Sequence, residues 1–320
     1  MDELLNVEGL STSYWTFEGL VRAVDDVSIK INKGEAVALV GESGSGKSTA
    51  AFSIMKLVPK PGKITGGKVM MEGKDIMSSS YEDMVGIRGS EIGMIFQEPM
   101  TFLNPLKKVG EQIAESIRIH ENASNIDAIK KAEEILRLVQ LPDPGVIKNY
   151  YPHQLSGGMR QRVLIAIAIS CRPKILIADE PTTALDVTIQ AQIMELLSRL
   201  CKERNTALLL ITHDLGLVAQ YCDRIYVMYA GQIVEEGDTY DLFDAPQHPY
   251  TEALLSCALM FDRRTENFKT ITGKLPSRIN LPTGCRFHPR CKKVVNDCHL
   301  TAPSLFEVKN GSNSRCLLHK

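Results

Sequence analysis

Gly41-Glu42-Ser43-Gly44-Ser45-Gly46-Lys47-Ser48 decides the fold class of this 320-residue chain. The stretch fits the G-x-x-x-x-G-K-[ST] pattern, in which glycines let backbone N–H groups curl around a phosphate, the lysine reaches its outer oxygens and the hydroxyl ligates Mg²⁺. Gly41, Ser43, Gly44 and Gly46 shape the loop, Lys47 supplies the cation, and Ser48 and Thr49 supply the first hydroxyls of the segment that follows. The flanks agree with the letters. Residues 36–40, Ala-Val-Ala-Leu-Val, form a β-type apolar run, and residues 47–57 read as a helix closed by Pro59 and Pro61, which cannot continue it. Strand, glycine loop and helix together open a phosphate-binding α/β core.

Such a loop alone leaves kinases, GTPases, helicases and transport ATPases open, and the second half of the chain narrows the choice. Ile175-Leu176-Ile177-Ala178-Asp179-Glu180 reads as a buried strand that delivers adjacent carboxylates at its C-terminal end, where ligands bind in open parallel sheets. Asp179 is expected to hold Mg²⁺ through water. Glu180 is expected to act as the general base that polarises an attacking water, because phosphoryl transfer needs positioning and charge stabilisation above all. Strand 175–178, helix 189–200, strand 207–211 and helix 215–221 alternate as a βαβα series, the mark of a covered parallel sheet. Residues 109–141 carry helical periodicity instead, with Ile129, Ala132, Ile135, Leu136 and Val139 on one face. Residues 4–71 are strand-rich, broken at Asn32-Lys33-Gly34.

Leu155-Ser156-Gly157-Gly158-Met159 is a second anion site by its chemistry, a serine and two glycines opening a helix with free N–H groups and a positive dipole end. With this stretch the chain resembles the ABC ATPase family over about residues 4–237. The resemblance implies an ABC ATPase cassette: an α/β fold with a P-loop parallel-sheet core, an antiparallel β-subdomain and an inserted helical subdomain at about 101–171. It implies that ATP is the ligand and that the site is composite. Ser156, Gly157 and Gly158 of one protomer close over the nucleotide on the partner's phosphate loop. Tyr14 matches the aromatic that stacks on adenine, and Gln97, in Phe96-Gln97-Glu98-Pro99, matches the glutamine that touches Mg²⁺ and water. Thr183-Ala184-Leu185-Asp186 matches the loop that meets the opposite protomer, and His213 the switch histidine near the γ-phosphate. Met159 departs from the family, where many members carry glutamine; Ser156 and the backbone donors remain.

The remaining composition bounds the partners. Formal net charge is −1 with no long Lys/Arg block, so nucleic acid is not an expected partner. No apolar run approaches the ~18 residues needed to cross a bilayer, and Met1-Asp2-Glu3 does not open a secretory signal, so a cytosolic location is expected. A soluble ABC ATPase acting on ribosomes or DNA is opposed by the single cassette and the absence of a coiled-coil or basic arm, and a purely regulatory subunit by Glu180 and His213.

A boundary falls near Asp244, which gives a nucleotide-binding domain of residues 1–244 and a small, irregular Cys-rich C-terminal extension of 245–320. Beyond about Thr239, Pro246, Pro249, Pro276 and Pro282 punctuate the order. His248-Pro249-Tyr250-Thr251 and Gly284-Cys285-Arg286-Phe287-His288-Pro289-Arg290-Cys291 are similar to ATPases of oligopeptide and dipeptide importers. That similarity implies a second, homologous ATPase as heterodimer partner, two transmembrane permease subunits and, indirectly, an extracytoplasmic peptide-binding protein. It places the chain peripherally on the cytoplasmic face of the cell membrane. Related importers of nickel or another small solute are the alternative.

Of eight cysteines, Cys171, Cys201, Cys222 and Cys257 are scattered, while Cys285, Cys291, Cys298 and Cys316 crowd the tail. Thiolate sulfur suits iron–sulfur clusters and zinc, and four cysteines complete either site. The tail is read as holding a [4Fe–4S] cluster, as the resemblance suggests, with zinc, disulfides or free thiols as the other chemical readings.

Overall fold

The computed structural model describes residues 2–183, 185–259, 271–308 and 311–320, so Ala184 of the Thr183–Asp186 loop lies outside the described residues. The chain begins with β1 (Glu3–Thr16), β2 (Gly19–Asn32), β3 (Ala36–Val40), α1 (Lys47–Ile54), β4 (Gly62–Met71), β5 (Lys74–Asp75), α2 (Tyr81–Ile87) and β6 (Ile92–Ile95). Next come α3 (Pro99–Phe102), α4 (Val109–Glu121), α5 (Asn125–Leu138), α6 (Pro144–Ile147), α7 (Gly157–Ile169), β7 (Ile175–Asp179) and α8 (Val187–Arg204). It continues with β8 (Ala207–Thr212), α9 (Leu215–Tyr221), β9 (Arg224–Tyr229), β10 (Gln232–Asp238), α10 (Thr239–Asp244) and α11 (Pro249–Leu259). The tail adds α12 (Asp297–Leu300), β11 (Phe306–Glu307) and β12 (Asn313–Ser314). These elements form two compact units, one built mainly on Ser79–Leu210 and the other on Glu3–Ile31, Ala36–Ser78 and Ile211–Lys320.

In the first unit β6 and β7 pair in parallel, from Ile92 opposite Ile175 to Ile95 opposite Ala178, and β8 lies on the other side of β7. Every residue of β7 and β8 is buried, which is why both read as continuous apolar runs rather than alternating ones. The helical insertion follows from amphipathic patterning. Val109, Ile113, Ala114 and Ile117 of α4 and Ala128, Ala132, Ile135 and Leu136 of α5 are buried, each such Ile or Leu adding roughly 1.5–3 kcal/mol. Asn122 ends α4 in the left-handed conformation (φ 52°), and the Ser124 hydroxyl caps α5 by accepting from the Asp127 N–H at 3.2 Å. Ile129, expected on the buried face, is only half-buried; Ala128 takes the inner position.

In the second unit an antiparallel sheet runs in the order β2-β1-β4-β5, with Leu5 opposite Met71 and Tyr14 opposite Gly62. A second set of strands places β3 parallel to β9, Val40 opposite Val227, and β10 antiparallel to β9. Helix α1 ends at Ile54, earlier than Pro59 alone implies, because Lys56 turns left-handed (φ 50°).

Past Thr239 the expectation of weak order needs correction. Pro249 opens α11, where a missing N–H costs nothing, instead of interrupting it. The tail joins the sheet: β12 pairs with β10, Glu235 opposite Ser314 and Glu236 opposite Asn313, and β11 pairs with β12. The tail also makes apolar contacts. Phe287 is 3% exposed and packs on Tyr229 and Tyr250 with ring centres 5.2 and 5.4 Å away, pairs worth about 0.5–1.5 kcal/mol each beyond burial.

Candidate functional site

The phosphate loop leaves the C-terminal end of β3 within the second unit. Gly46 stands at the start of α1 with φ 115° and ψ 2°, and a Cβ there would lie 2.3 Å from the Ala23 carbonyl oxygen. A Cβ on Gly41 would lie 2.2 Å from the Met228 carbonyl oxygen. Both positions exclude any side chain, for conformational and steric reasons at once. Lys47 is 5% exposed, and its ammonium donates to the Gly41 and Glu42 carbonyls at 2.8 and 3.1 Å, which holds the cation at the base of the loop. The Ser45 N–H donates to the Glu42 carbonyl at 3.0 Å, and the Gly231 N–H donates to the Ser45 carbonyl at 2.8 Å. Ser43 and Gly44 are exposed, and Ser48 and Thr49 are half-buried in the first turn of α1.

Other candidates of this unit fall at the ends of strands. Tyr14 is half-buried near the end of β1, its ring lying over Gly62, where a Cβ would come 2.6 Å from the ring edge. His213 is exposed, directly after β8 and before Asp214, whose carboxylate caps α9 by accepting from the Gly216 and Leu217 N–H groups at 2.9 and 3.3 Å.

The first unit assembles the carboxylate residues. Parallel register sets Ile95 beside Ala178, so the residues that follow, Gln97 and Glu180, emerge side by side at the C-terminal ends of β6 and β7. The Gln97 amide donates to Glu180 Oε2 at 3.0 Å, and the Thr183 hydroxyl donates to the same oxygen at 2.8 Å. Glu180 is half-buried in the left-handed conformation (φ 46°), an uncommon backbone for a glutamate. Asp179, one residue earlier, is 2% exposed.

Ser156 begins α7, and its hydroxyl accepts from the Met159 N–H at 3.3 Å. The loss of a glutamine side chain at 159 therefore leaves this cap intact. A Cβ on Gly158 would lie 2.9 Å from the Ile189 side chain, so the glycine lets the start of α7 close on the start of α8. Asp186 begins α8 and accepts from the Ile189 N–H at 3.0 Å. Sequence reasoning named Thr183 only as part of a loop and gave Tyr250 no role. Yet Thr183 holds the Glu180 carboxylate, and the Tyr250 hydroxyl accepts from the Glu42 N–H of the phosphate loop at 2.9 Å. No local pattern marks either contact.

The tail cysteines share one neighbourhood in the second unit. The Cys285 N–H donates to the Cys298 carbonyl at 2.9 Å. Burial pushes the Cys285 thiol up to about 11, and the nearby Cys298 and Cys316 sulfurs push it the same way. Burial also raises Cys291 and Cys316, and each of these feels Cys298 as well. All four are free thiols. Among the described residues, no group of three or more His, Cys, Asp or Glu gathers as a site for a metal ion. No helix among the described residues is long and apolar enough to cross a membrane.

Comparison with known proteins gives a concordant picture. Residues 24–183 match the family described as ABC transporter, and residues 234–298 match the oligopeptide/dipeptide transporter C-terminal region. The chain is 51% identical over its full length to the oligopeptide transport ATP-binding protein AppD of Bacillus subtilis (strain 168), covering 98% of that protein. It is 47% identical to the dipeptide transport ATP-binding protein DppD of Escherichia coli (strain K12), covering 98% of this chain and 96% of that one. Among solved structures it is similar to the ATP-binding cassette MJ0796, a dimer in a post-hydrolysis state bound to ADP and Pi. That likeness has 32% identity and a TM-score of 0.67, over 74% of this chain and 99% of that one.

Proposed function

Because the chain belongs to the ABC transporter family, in its branch of oligopeptide and dipeptide transport ATP-binding proteins, we propose that it is the ATP-hydrolysing motor subunit of a peptide importer. The observation that carries hydrolysis is Glu180, a half-buried carboxylate held by Gln97 and Thr183 at the end of a buried strand. A base fixed in this way needs no reorganisation before it polarises water. The cargo reading rests on likeness over the whole chain to proteins named for peptide transport, which favours peptides over nickel or another small solute and over a role on ribosomes or DNA.

Each remaining residue has a role that its chemistry supports. The N–H groups of residues 41–48 and the Lys47 ammonium bind the β- and γ-phosphates, and Tyr14 stacks on adenine. Mg²⁺ supplies neutralisation of phosphate charge; the hard oxygen donors of Ser48, Gln97 and Asp179 suit it, and Asp179 is a buried carboxylate. His213 approaches the γ-phosphate. Ser156, Gly157, Gly158 and Asp186 act across a dimer, one protomer's helix start closing on the nucleotide of its partner. That partner is a second, homologous ATPase. Two transmembrane permease subunits anchor the pair peripherally at the cytoplasmic face, and an extracytoplasmic binding protein delivers the peptide. Residues 1–244 make the nucleotide-binding domain, with a helical insertion at about 101–171, and 245–320 the extension.

Cys285, Cys291, Cys298 and Cys316 hold a [4Fe–4S] cluster in this reading. What supports the reading is the chemistry of the donor set, four free thiols, of which Cys285 feels Cys298 and Cys316, and Cys291 and Cys316 feel Cys298. Such a cluster would supply a structural crosslink between Cys285, Cys291, Cys298 and Cys316, since hydrolysis has no redox step. Anaerobic purification with iron and sulfide analysis tests this directly: a Cys291→Ser variant with unchanged iron content rejects it. For hydrolysis, Glu180→Gln is expected to lower turnover by about 10²–10⁴-fold while ATP stays bound. Undiminished turnover would refute the role of Glu180.

A further inference from the structure

Two arginines lie in the turn that carries the first tail cysteines; Arg290 reaches the phosphate loop directly, and Arg286 reaches it through a neighbouring backbone. Arg290, whose side chain is 5% exposed, precedes Cys291. Its terminal nitrogens donate to the two carboxylate oxygens of Glu42 at 2.9 and 3.1 Å, a fork-to-fork pair that fixes orientation as well as distance. Its other N–H groups donate to the Thr272 carbonyl at 3.1 Å, the Ile271 carbonyl at 3.3 Å and the Tyr229 hydroxyl at 3.4 Å, so the guanidinium has little freedom. Arg286, after Cys285, acts beside the loop and not on it. It pairs with Asp25 and donates to the Ala230 carbonyl at 2.6 Å, and the next residue, Gly231, donates its N–H to the Ser45 carbonyl. Glu42 and Ser45 are positions that the phosphate-loop pattern leaves unspecified.

We propose that the turn 285–291 is a clamp on the phosphate loop, with Arg290 as the positioning residue that sets ATP affinity through Glu42. This rests on the assignment of residues 41–48 to ATP. Two effects act together. Backbone N–H groups recognise a phosphate only while the loop keeps its shape, and Arg290 pins its second residue from the side chain while Tyr250 pins it from the backbone. Glu42 also places a negative charge in a loop built for anions, and Arg290 neutralises it. Without the arginine an unpaired, partly buried carboxylate remains beside the phosphates, and breaking such a pair from one side is the costly way to break it.

The test is equilibrium binding of MgATP to the full chain by calorimetry, with pyrophosphate as a second probe that has no adenine. Proteins are compared at equal iron content. Arg290→Met is expected to weaken MgATP and pyrophosphate by about tenfold each, the equivalent of ~1.4 kcal/mol. Adding Glu42→Gln to Arg290→Met should recover most of that loss, because the uncompensated charge goes with it; Arg290→Lys should fall between wild type and Arg290→Met. A folded Arg290→Met with wild-type affinity overturns the clamp, as does a double variant no better than the single one. If Arg290→Met does not fold, Arg290→Lys decides: unchanged affinity for pyrophosphate overturns the proposal, and a several-fold loss supports it. Failure of the wild type itself to bind MgATP would strike the nucleotide assignment instead of the clamp.

Discussion

Replacing Gly46 with alanine puts the phosphate loop under two loads that can be sized separately. The backbone at φ 115° and ψ 2° lies outside the regions an L-residue occupies, and holding it there costs ~1–3 kcal/mol. The new methyl would sit 2.3 Å from the Ala23 carbonyl oxygen and 2.8 Å from the Met228 methyl. The methionine can swing aside, but the carbonyl belongs to β2 and cannot, so overpacking adds ~1–3 kcal/mol. Together they come to about 2–6 kcal/mol, a large share of the 5–15 kcal/mol that typically holds a domain together. The strain has two outlets. If the loop keeps its geometry, the loss appears as a lower thermal midpoint. If the loop yields, it appears as weaker MgATP binding, by about thirtyfold for each ~2 kcal/mol. Differential scanning calorimetry and titration calorimetry on the same Gly46→Ala protein measure both outlets. A variant with wild-type midpoint and wild-type affinity would refute the reasoning that the glycine is required by its surroundings.

Acid should destabilise the protein through His248. The ring is 1% exposed, burial pushes it down to about 3, and its Nδ1 accepts from the Tyr250 N–H at 3.0 Å, which demands the unprotonated atom. A depressed folded value means that the stability is present above the unfolded pKa of ~6.5 and lost as pH falls toward the folded value, about 2 kcal/mol between pH 6.5 and 5. The thermal midpoint of wild type should therefore drop more steeply from pH 7 to 5 than that of His248→Asn; parallel slopes would reject the assignment. Asp186→Ala removes the cap of α8 and should cost ~1 kcal/mol of stability, whereas Asp186→Asn keeps an acceptor and should cost little. Equal stability of the two variants in urea unfolding would show that the cap contributes nothing.

What could be read without coordinates was local. The glycine loop, the serine opening α7, the apolar runs of β7 and β8 and the one-sided patterning of α5 are properties of neighbouring residues, set by backbone sterics and by the period of a helix or strand. The tertiary structure alone decided which of these act together. Gln97 meets Glu180 across 83 residues because parallel pairing happens to set Ile95 beside Ala178, and register is chosen by packing, not by either strand's own letters. Arg290 meets Glu42 across 248 residues for the same kind of reason, once Phe287 is buried against Tyr229 and Tyr250. The tail looked irregular because its strands are two residues long and its turns carry prolines. Segments so short have no period of their own to read, and they acquire order only from the sheet edge and the aromatic core that receive them.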